Sequence, residues 1–233
     1  MKLYFVRHGQ SHVNLKDWDG GNQDMPLTEL GRRQATSLGY WFKQYVPWVD
    51  AIYSSTMERA RETAELAAGH YGIDIQLDDR LREIGNNKAD HTPWPKEGLP
   101  SYGDFWGSER PFESITPSSE GGESLMHFRT RLGMFIEEAL RGHRGKVVMA
   151  FCHGGVIDIA FDYLFNVGFW RRCEARTMNT GVTLVEYVEL PQREVWRIYY
   201  HNKTEHLATM MPKGAELVVN PLQEEGDIPN ETY

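Results

Sequence analysis

Two short apolar runs far apart in the chain share one ending. Leu3-Tyr4-Phe5-Val6 is followed at once by Arg7-His8-Gly9, and Val147-Val148-Met149-Ala150-Phe151 by Cys152-His153-Gly154. Runs of this length, rich in β-formers, read as strands buried on both faces, and such strands require a sheet covered by helices on either side. Ligands in open α/β sheets bind just beyond the carboxyl ends of the strands. If the two strands are parallel neighbours, His8 and His153 emerge side by side at one edge. Gly9 lets the backbone turn tightly there and approach a ligand.

The segments between these runs alternate in period. Leu15 to Met25 is rich in Asp, Gly and Asn and reads as a loop. Thr28 is the expected N-cap of a helix whose stripe is Leu27, Leu30, Gln34, Leu38, Phe42 and Tyr45, stopped by Pro47. Ala51-Ile52-Tyr53 is a short strand ending in Ser54-Ser55. Ser55 with Glu58 forms a capping-box pattern for a helix over about 56–68. Ile73 to Leu77 is a further short strand, followed by the charged run Asp78 to Glu83. A helix over 123–141 carries the stripe Leu125, Phe128, Leu132, Phe135, Ile136 and Ala139, closed by Gly142. Another helix is expected from Val156 to Phe165. Gly181 to Leu190 and Glu194 to Tyr200 read as a hairpin turning at Pro191-Gln192. The fold class is therefore α/β, a three-layer α/β/α sandwich around a mainly parallel sheet.

Residues 85–122 break the alternation. Five prolines, several glycines and the aromatics Trp94, Tyr102, Phe105, Trp106 and Phe112 occur there without clean periodicity. A structureless stretch that long is seldom idle, and it reads as an insertion or lid on a single domain over 1–233, with packing the main job of its aromatics. From about Pro212 the chain reads as a polar surface tail.

Composition narrows the partners. The 233 residues carry 25 Lys+Arg against 33 Asp+Glu, a formal net charge of -8. An acidic surface argues against a nucleic-acid backbone or an anionic membrane as main partner. No signal-peptide pattern opens the chain, and no apolar run approaches the roughly 18 residues that span a bilayer. Cys152 and Cys173, in no metal-like spacing, suit free thiols in a reducing cytoplasm, with a single disulfide as the other option. Oligomeric state is not readable from the sequence; a homodimer is one option.

Chemistry follows from the residue types. Arg7 beside His8 and His153 is joined by Arg59, in the first turn of the helix after the second strand. Guanidinium forks and helix N-termini hold anions, and an imidazole can act as nucleophile near neutral pH. Two imidazoles beside two guanidiniums suggest a dianion such as a phosphoryl group, attacked by a neutral imidazole. His12 lies four residues after His8, but on a loop that spacing does not align two ligands as it does on a helix, so no metal site is expected.

The chain resembles the histidine phosphatase superfamily, the phosphoglycerate-mutase-like branch with the Arg-His-Gly motif. The resemblance rests on Arg7-His8-Gly9-Gln10-Ser11 with Asn14, Asp24-Met25-Pro26-Leu27-Thr28 with Gly31, Ser54-Ser55, and Arg59-Ala60 with Thr63-Ala64. It continues through Leu81-Arg82-Glu83, Gly121-Gly122-Glu123-Ser124, His153-Gly154 and, after Asn202, His206-Leu207. It implies a phosphoglycerate-mutase-like fold and, as activity, a metal-independent phosphomonoester hydrolase without cofactor, acting on a small phosphorylated metabolite. It implies His8 as the nucleophile that becomes phosphohistidine. Arg7, Arg59 and His153 would bind the phosphoryl oxygens with Asn14 and the Gly154 N–H, and Ser11 and Gly21 would join the substrate-binding set. Glu83 would protonate the leaving oxygen and then activate water.

Alternatives stay open at this level. Glu83 sits in a charge run, so a solvated face is the lesser, competing reading, in which case a carboxylate near the lid such as Asp90 would serve. A phosphoglycerate mutase would return the phosphoryl group to product, and the mutase branch carries an Arg-His-Tyr-Gly run after the glutamate. Here Ile84-Gly85-Asn86-Asn87 stands in its place, which favours hydrolysis. A protein that binds a phosphorylated partner without turnover is the third reading. The lid's basic residues, Lys88, Lys96 and Arg110, are few, which makes no strong case for a multiply phosphorylated ligand.

Overall fold

Strands β1 (Lys2–Arg7) and β4 (Val147–Cys152) pair in parallel, with Arg7 opposite Cys152. Both histidines thus leave the sheet at the same edge, as the paired strand endings imply. The structure is a computed structural model and describes residues 1–20, 23–96, 112, 121–169 and 173–210. The further strands are β2 (Ala51–Ser55), β3 (Ile75–Asp78), β5 (Val182–Leu190) and β6 (Arg193–Lys203). Their order across the sheet is β3-β2-β4-β1-β5-β6. Pairings from β3 to β1 are parallel, and β5 and β6 add antiparallel. The sheet is mainly parallel, with a hairpin at one edge.

Helices α1 (Glu29–Tyr45) and α2 (Glu58–Ala68) cover one face, and α3 (Leu125–Gly142) and α4 (Gly154–Leu164) the other. Alternation along β1 divides the core: Tyr4 and Val6 pack with Leu38, Phe42, Ala64 and Phe151, while Leu3 and Phe5 pack with Phe128, Leu132 and Ile157. The result is the expected three-layer sandwich. Among the described residues no helix is long and apolar enough to cross a membrane.

Several local expectations shift. Thr28 caps α1 by accepting from Gly31 N at 3.1 Å. The inner face of α1, however, is Gly31, Ala35, Leu38, Gly39 and Phe42, and the expected stripe members Leu30 and Tyr45 are exposed. Close approach selects that face. A Cβ on Gly31 would lie 1.9 Å from Gln10 O, and one on Gly39 would lie 3.1 Å from Leu66 O of α2. The capping box expected at Ser55 is absent, because α2 starts at Glu58 with Met57 as its N-cap. Ser55 Oγ instead accepts from Met57 N and turns toward His153. Strand β3 starts at Ile75, two residues later than read. Helix α4 starts at Gly154, two residues earlier, which makes His153 its N-cap.

The first part of the 85–122 segment is not structureless. Asn86 and Asn87 are fully buried. Asn87 Nδ2 donates to Asp79 O and His91 O, and Trp94 Nε1 donates to Asn87 O. Trp94 thus packs locally, as expected for most of these aromatics. Tyr102, Phe105, Trp106 and Arg110 lie outside the described residues, as does the tail from 212.

A closing turn, Glu205–Met210, packs on α1, where Ser37 Oγ donates to His206 O at 2.6 Å. His206 is buried and meets Thr180 Oγ1 at 2.8 Å. Burial pulls its pKa down to about 4. The unfolded chain, with an ordinary histidine near 6.5, therefore takes up a proton that the folded chain refuses. Stability is expected to fall as pH drops from about 6.5 toward 4, by about 3 kcal/mol from this residue. Thermal melts across that range on the protein and on His206→Gln check it: the variant should show a shallower decline.

Candidate active site

The two histidines meet directly beyond the strand ends. His8 N donates to Cys152 O at 2.9 Å, and the rings of His8 and His153 stand edge-on with centroids 5.1 Å apart. Both are buried. His153 occupies the N-cap of α4, so the positive end of that helix dipole faces the pair.

Hydrogen bonding sets the state of His8. Its Nδ1 lies 2.7 Å from Gly9 O, and a carbonyl only accepts, so Nδ1 carries the proton. Nε2 is left with its lone pair, which accepts from Arg59 Nε at 3.2 Å. Burial is the main force lowering the His8 pKa far below the usual range, and the guanidiniums of Arg59 and Arg7 push the same way. His153 is lowered by burial first and then by Arg59. Both rings are therefore neutral at pH 7, the form in which an imidazole is a nucleophile. His153 Nε2 shares a hydrogen bond of 2.9 Å with Ser55 Oγ, while its buried Nδ1 meets no partner among the described residues.

Arg59, in the first turn of α2, is buried, with its Nη1 4.0 Å from Asp24 Oδ1. Arg7 Nη1 donates to Thr177 O, and the guanidinium lies beside Gly154, where an added Cβ would come within 3.5 Å of Arg7 Cζ. A third guanidinium, Arg82, is buried nearby and donates to Thr56 Oγ1 at 3.0 Å. It helps to lower the pKa of His153. The sequence offers Arg82 as the middle of Leu81-Arg82-Glu83 within a charge run, with nothing to mark it as buried.

Glu83 is not on a solvated face. It is 2% exposed, with Oε2 accepting from Gly155 N at 3.1 Å and Oε1 from Ile84 N at 2.8 Å. Burial raises its pKa, against the smaller opposing pull of those two N–H groups and of Arg59 and Arg7. Asp90, the other carboxylate considered, is exposed and occupied by Thr92 N and Oγ1, so the structure does not bring it into the cluster. Glycine is required next to Glu83, because a Cβ on Gly155 would lie 2.3 Å from Glu83 Oε1. Gly155→Ala is expected to displace the carboxyl and cost about 1–3 kcal/mol of stability. Turnover at poor leaving groups should fall by about tenfold to a hundredfold. Melting temperature and steady-state rates on the variant check both.

The remaining sequence candidates differ in placement. Asn14 lies in a short 3-10 turn, where its Oδ1 accepts from Ser11 N at 3.1 Å and from Asn179 Nδ2 at 3.3 Å. Ser11 is buried and its hydroxyl donates to Asn14 Oδ1, so it orients Asn14. Gly154 opens α4 beside Arg7. Gly21 lies outside the described residues.

Residues 177–180 escape the sequence reading. Asn179 Nδ2 donates to His8 O at 3.1 Å, and Thr180 N donates to both Arg7 O and His8 O. Thr180 adopts a left-handed backbone with φ 57°, which costs a β-branched residue energy and here serves to aim its N–H at the strand end. The available signal is topological: β5 runs antiparallel to β1, Val182 opposite Val6, so the loop before β5 lands at the same edge as His8. Neither apolar pattern nor spacing reveals that β5 is the neighbour of β1.

Guanidiniums, a helix N-terminus and neutral imidazoles around one buried acid are groups able to hold a phosphoryl dianion. Residues 3–202 match the histidine phosphatase superfamily, branch 1, and the chain belongs to that family. A probable phosphoglycerate mutase GpmB of Citrobacter koseri is 26% identical over 191 residues, covering 81% of this chain and 86% of that protein. Among solved structures, the Entamoeba histolytica phosphoserine phosphatase in complex with 3-phosphoglyceric acid aligns with a TM-score of 0.64 at 23% identity, over 88% of this chain and 98% of that one. A mycobacterial glucosyl-3-phosphoglycerate phosphatase complexed with VO3 aligns with a TM-score of 0.64 at 22% identity, over 86% of this chain and 98% of that one. These likenesses establish the fold.

Proposed function

We propose that the protein is a phosphomonoester hydrolase working through a phosphohistidine on His8. The observation that carries this reading is the protonation pattern: Nδ1–H is tied to Gly9 O, which leaves the Nε2 lone pair for phosphorus. Arg7, Arg59 and the Gly154 N–H hold the phosphoryl oxygens, and the unpartnered Nδ1 of His153 supplies a further contact. Nε2 attacks phosphorus, the N–P bond forms, and the P–O bond to the alcohol breaks as Glu83 gives that oxygen its proton. Glu83, now a carboxylate, takes a proton from water. The water oxygen attacks phosphorus, the N–P bond breaks, and inorganic phosphate leaves with His8 and protonated Glu83 restored.

The substrate reading is a small phosphorylated metabolite, with residues 85–122 acting as a lid on a single domain. Lys96 pairs with Glu58 at 3.2 Å and Lys88 lies over the Trp94 ring, so both are engaged within the protein. This supports a ligand with one phosphoryl group. Cysteines without a disulfide, Cys152 buried and Cys173 exposed, fit a cytoplasmic protein.

Phosphoglycerate interconversion is the second reading, favoured by the name of the Citrobacter relative. The absence of an Arg-His-Tyr-Gly run after Glu83 opposes it. A screen of phosphorylated metabolites that scores both phosphate release and 2-/3-phosphoglycerate interconversion separates the two. Phosphate release without interconversion is the expected result, interconversion without release would establish the mutase, and neither would leave a phospho-ligand binder.

A further inference from the structure

Arg131 is the largest fully buried side chain of the described residues, yet it lies on α3 within an apolar stripe. It forms a two-pronged ion pair with Glu123: Nε donates to Oε2 and Nη2 to Oε1, each at 2.8 Å, with both side chains 0% exposed. Its other bonds all reach one short segment. Nη1 donates to Arg80 O at 2.8 Å and to Arg82 O at 2.7 Å, and Nη2 to Glu83 O at 3.0 Å. Glu123 Oε1 returns to the same segment and accepts from Gly85 N at 2.7 Å. The main chain from Arg80 to Gly85 is thus bound on both sides of Glu83 by a single pair of charges.

Stability alone is a poor reason for such a pair, since two apolar side chains of similar volume commonly do as well in a core. The neighbours on α3, Phe128, Leu132 and Phe135, show that this layer accepts apolar groups readily. What the guanidinium adds is geometry, because its rigid fork holds several carbonyls at once in a way no apolar residue or ammonium can. We propose that the Arg131–Glu123 pair is a positioning element for Glu83, fixing the main chain that carries the acid so that its carboxyl stays in line with the leaving oxygen. The pair touches no reacting atom. This inference rests on the reading of Glu83 as the proton donor.

The test compares kcat for an alkyl phosphate, whose leaving oxygen needs a proton, with kcat for p-nitrophenyl phosphate, whose leaving oxygen does not. In Arg131→Lys, a single ammonium cannot replace the fork. The alkyl rate is expected to fall about tenfold or more relative to the aryl rate, with an altered basic limb in the pH profile of the alkyl reaction. A ratio and profile equal to those of the unaltered protein would overturn the proposal. If Arg131→Lys does not fold, Arg131→Met/Glu123→Leu removes both charges without leaving either buried alone, and the same ratio is read. Failure of both to fold overturns the positioning role and leaves the pair structural. Glu83→Gln, run alongside, separates the two ideas: an unchanged ratio there sinks the acid assignment itself, whereas a changed ratio there with none in the Arg131 variants sinks only the positioning element.

Discussion

His8→Ala is expected to lower phosphate release from an aryl phosphate by about 10⁴-fold or more, because the variant lacks the Nε2 lone pair that the Nδ1–H bond to Gly9 O leaves for phosphorus. The fold should survive the change. His8 is held by its main chain, through Cys152 O and Thr180 N, so thermal melting should stay near that of the unaltered protein. A rapid acid-free quench under single-turnover conditions should trap an acid-labile phosphate on the unaltered protein and none on the variant. Aryl phosphate hydrolysis by His8→Ala at the original rate would end the mechanism. Because burial and two guanidiniums keep the His8 pKa low, its ring stays neutral well below pH 6.5. Its protonation should therefore depress the rate only on the far acid side.

The second large effect belongs to Glu83→Gln. Amide for carboxyl keeps the volume and one of the two contacts with Ile84 N and Gly155 N, since only the amide oxygen accepts, and it removes the proton. Esters with poor leaving groups should slow by about 10²–10⁴-fold, while the phosphorylation step with aryl phosphates changes little. The sign of the pH dependence follows from burial. A raised pKa keeps Glu83 protonated at higher pH than an ordinary carboxyl, and the alkyl reaction should decline as pH rises through that raised value. The decline should vanish in Glu83→Gln. Equal slowing of both substrate classes would point to another donor.

Much of this site was legible because sheet physics writes it into short patterns. Leu3–Val6 and Val147–Phe151 read as interior strands, and interior parallel strands deliver their following residues to one edge. Arg59 was reachable as the first turn of the next helix. Glu83 was not settled by sequence, since a carboxylate among Asp78, Asp79, Arg80 and Arg82 looks solvated until the chain around it is seen to turn inward. Arg131 was hidden for the opposite reason: its helix stripe is explained by its apolar neighbours, and a charge there is ordinarily assigned to solvent. The inner face of α1 eluded the hydropathy pattern because distance rather than apolarity selected Gly31 and Gly39. Ser55 fits a capping pattern in sequence, yet its hydroxyl serves His153 and Met57 N.

The ties on the main chain of His8 have a consequence for the order in which the protein is made. His8 is made long before its partners: its N–H waits for Cys152 and its carbonyl for Asn179 and Thr180. Contacts of such separation form late, after the intervening helices have brought the strands together. A nascent chain that ends before β5 carries the complete Arg-His-Gly motif without the groups that hold it. Chemical competence arrives with the strand that closes the edge beside β1, so activity reports the finished sheet.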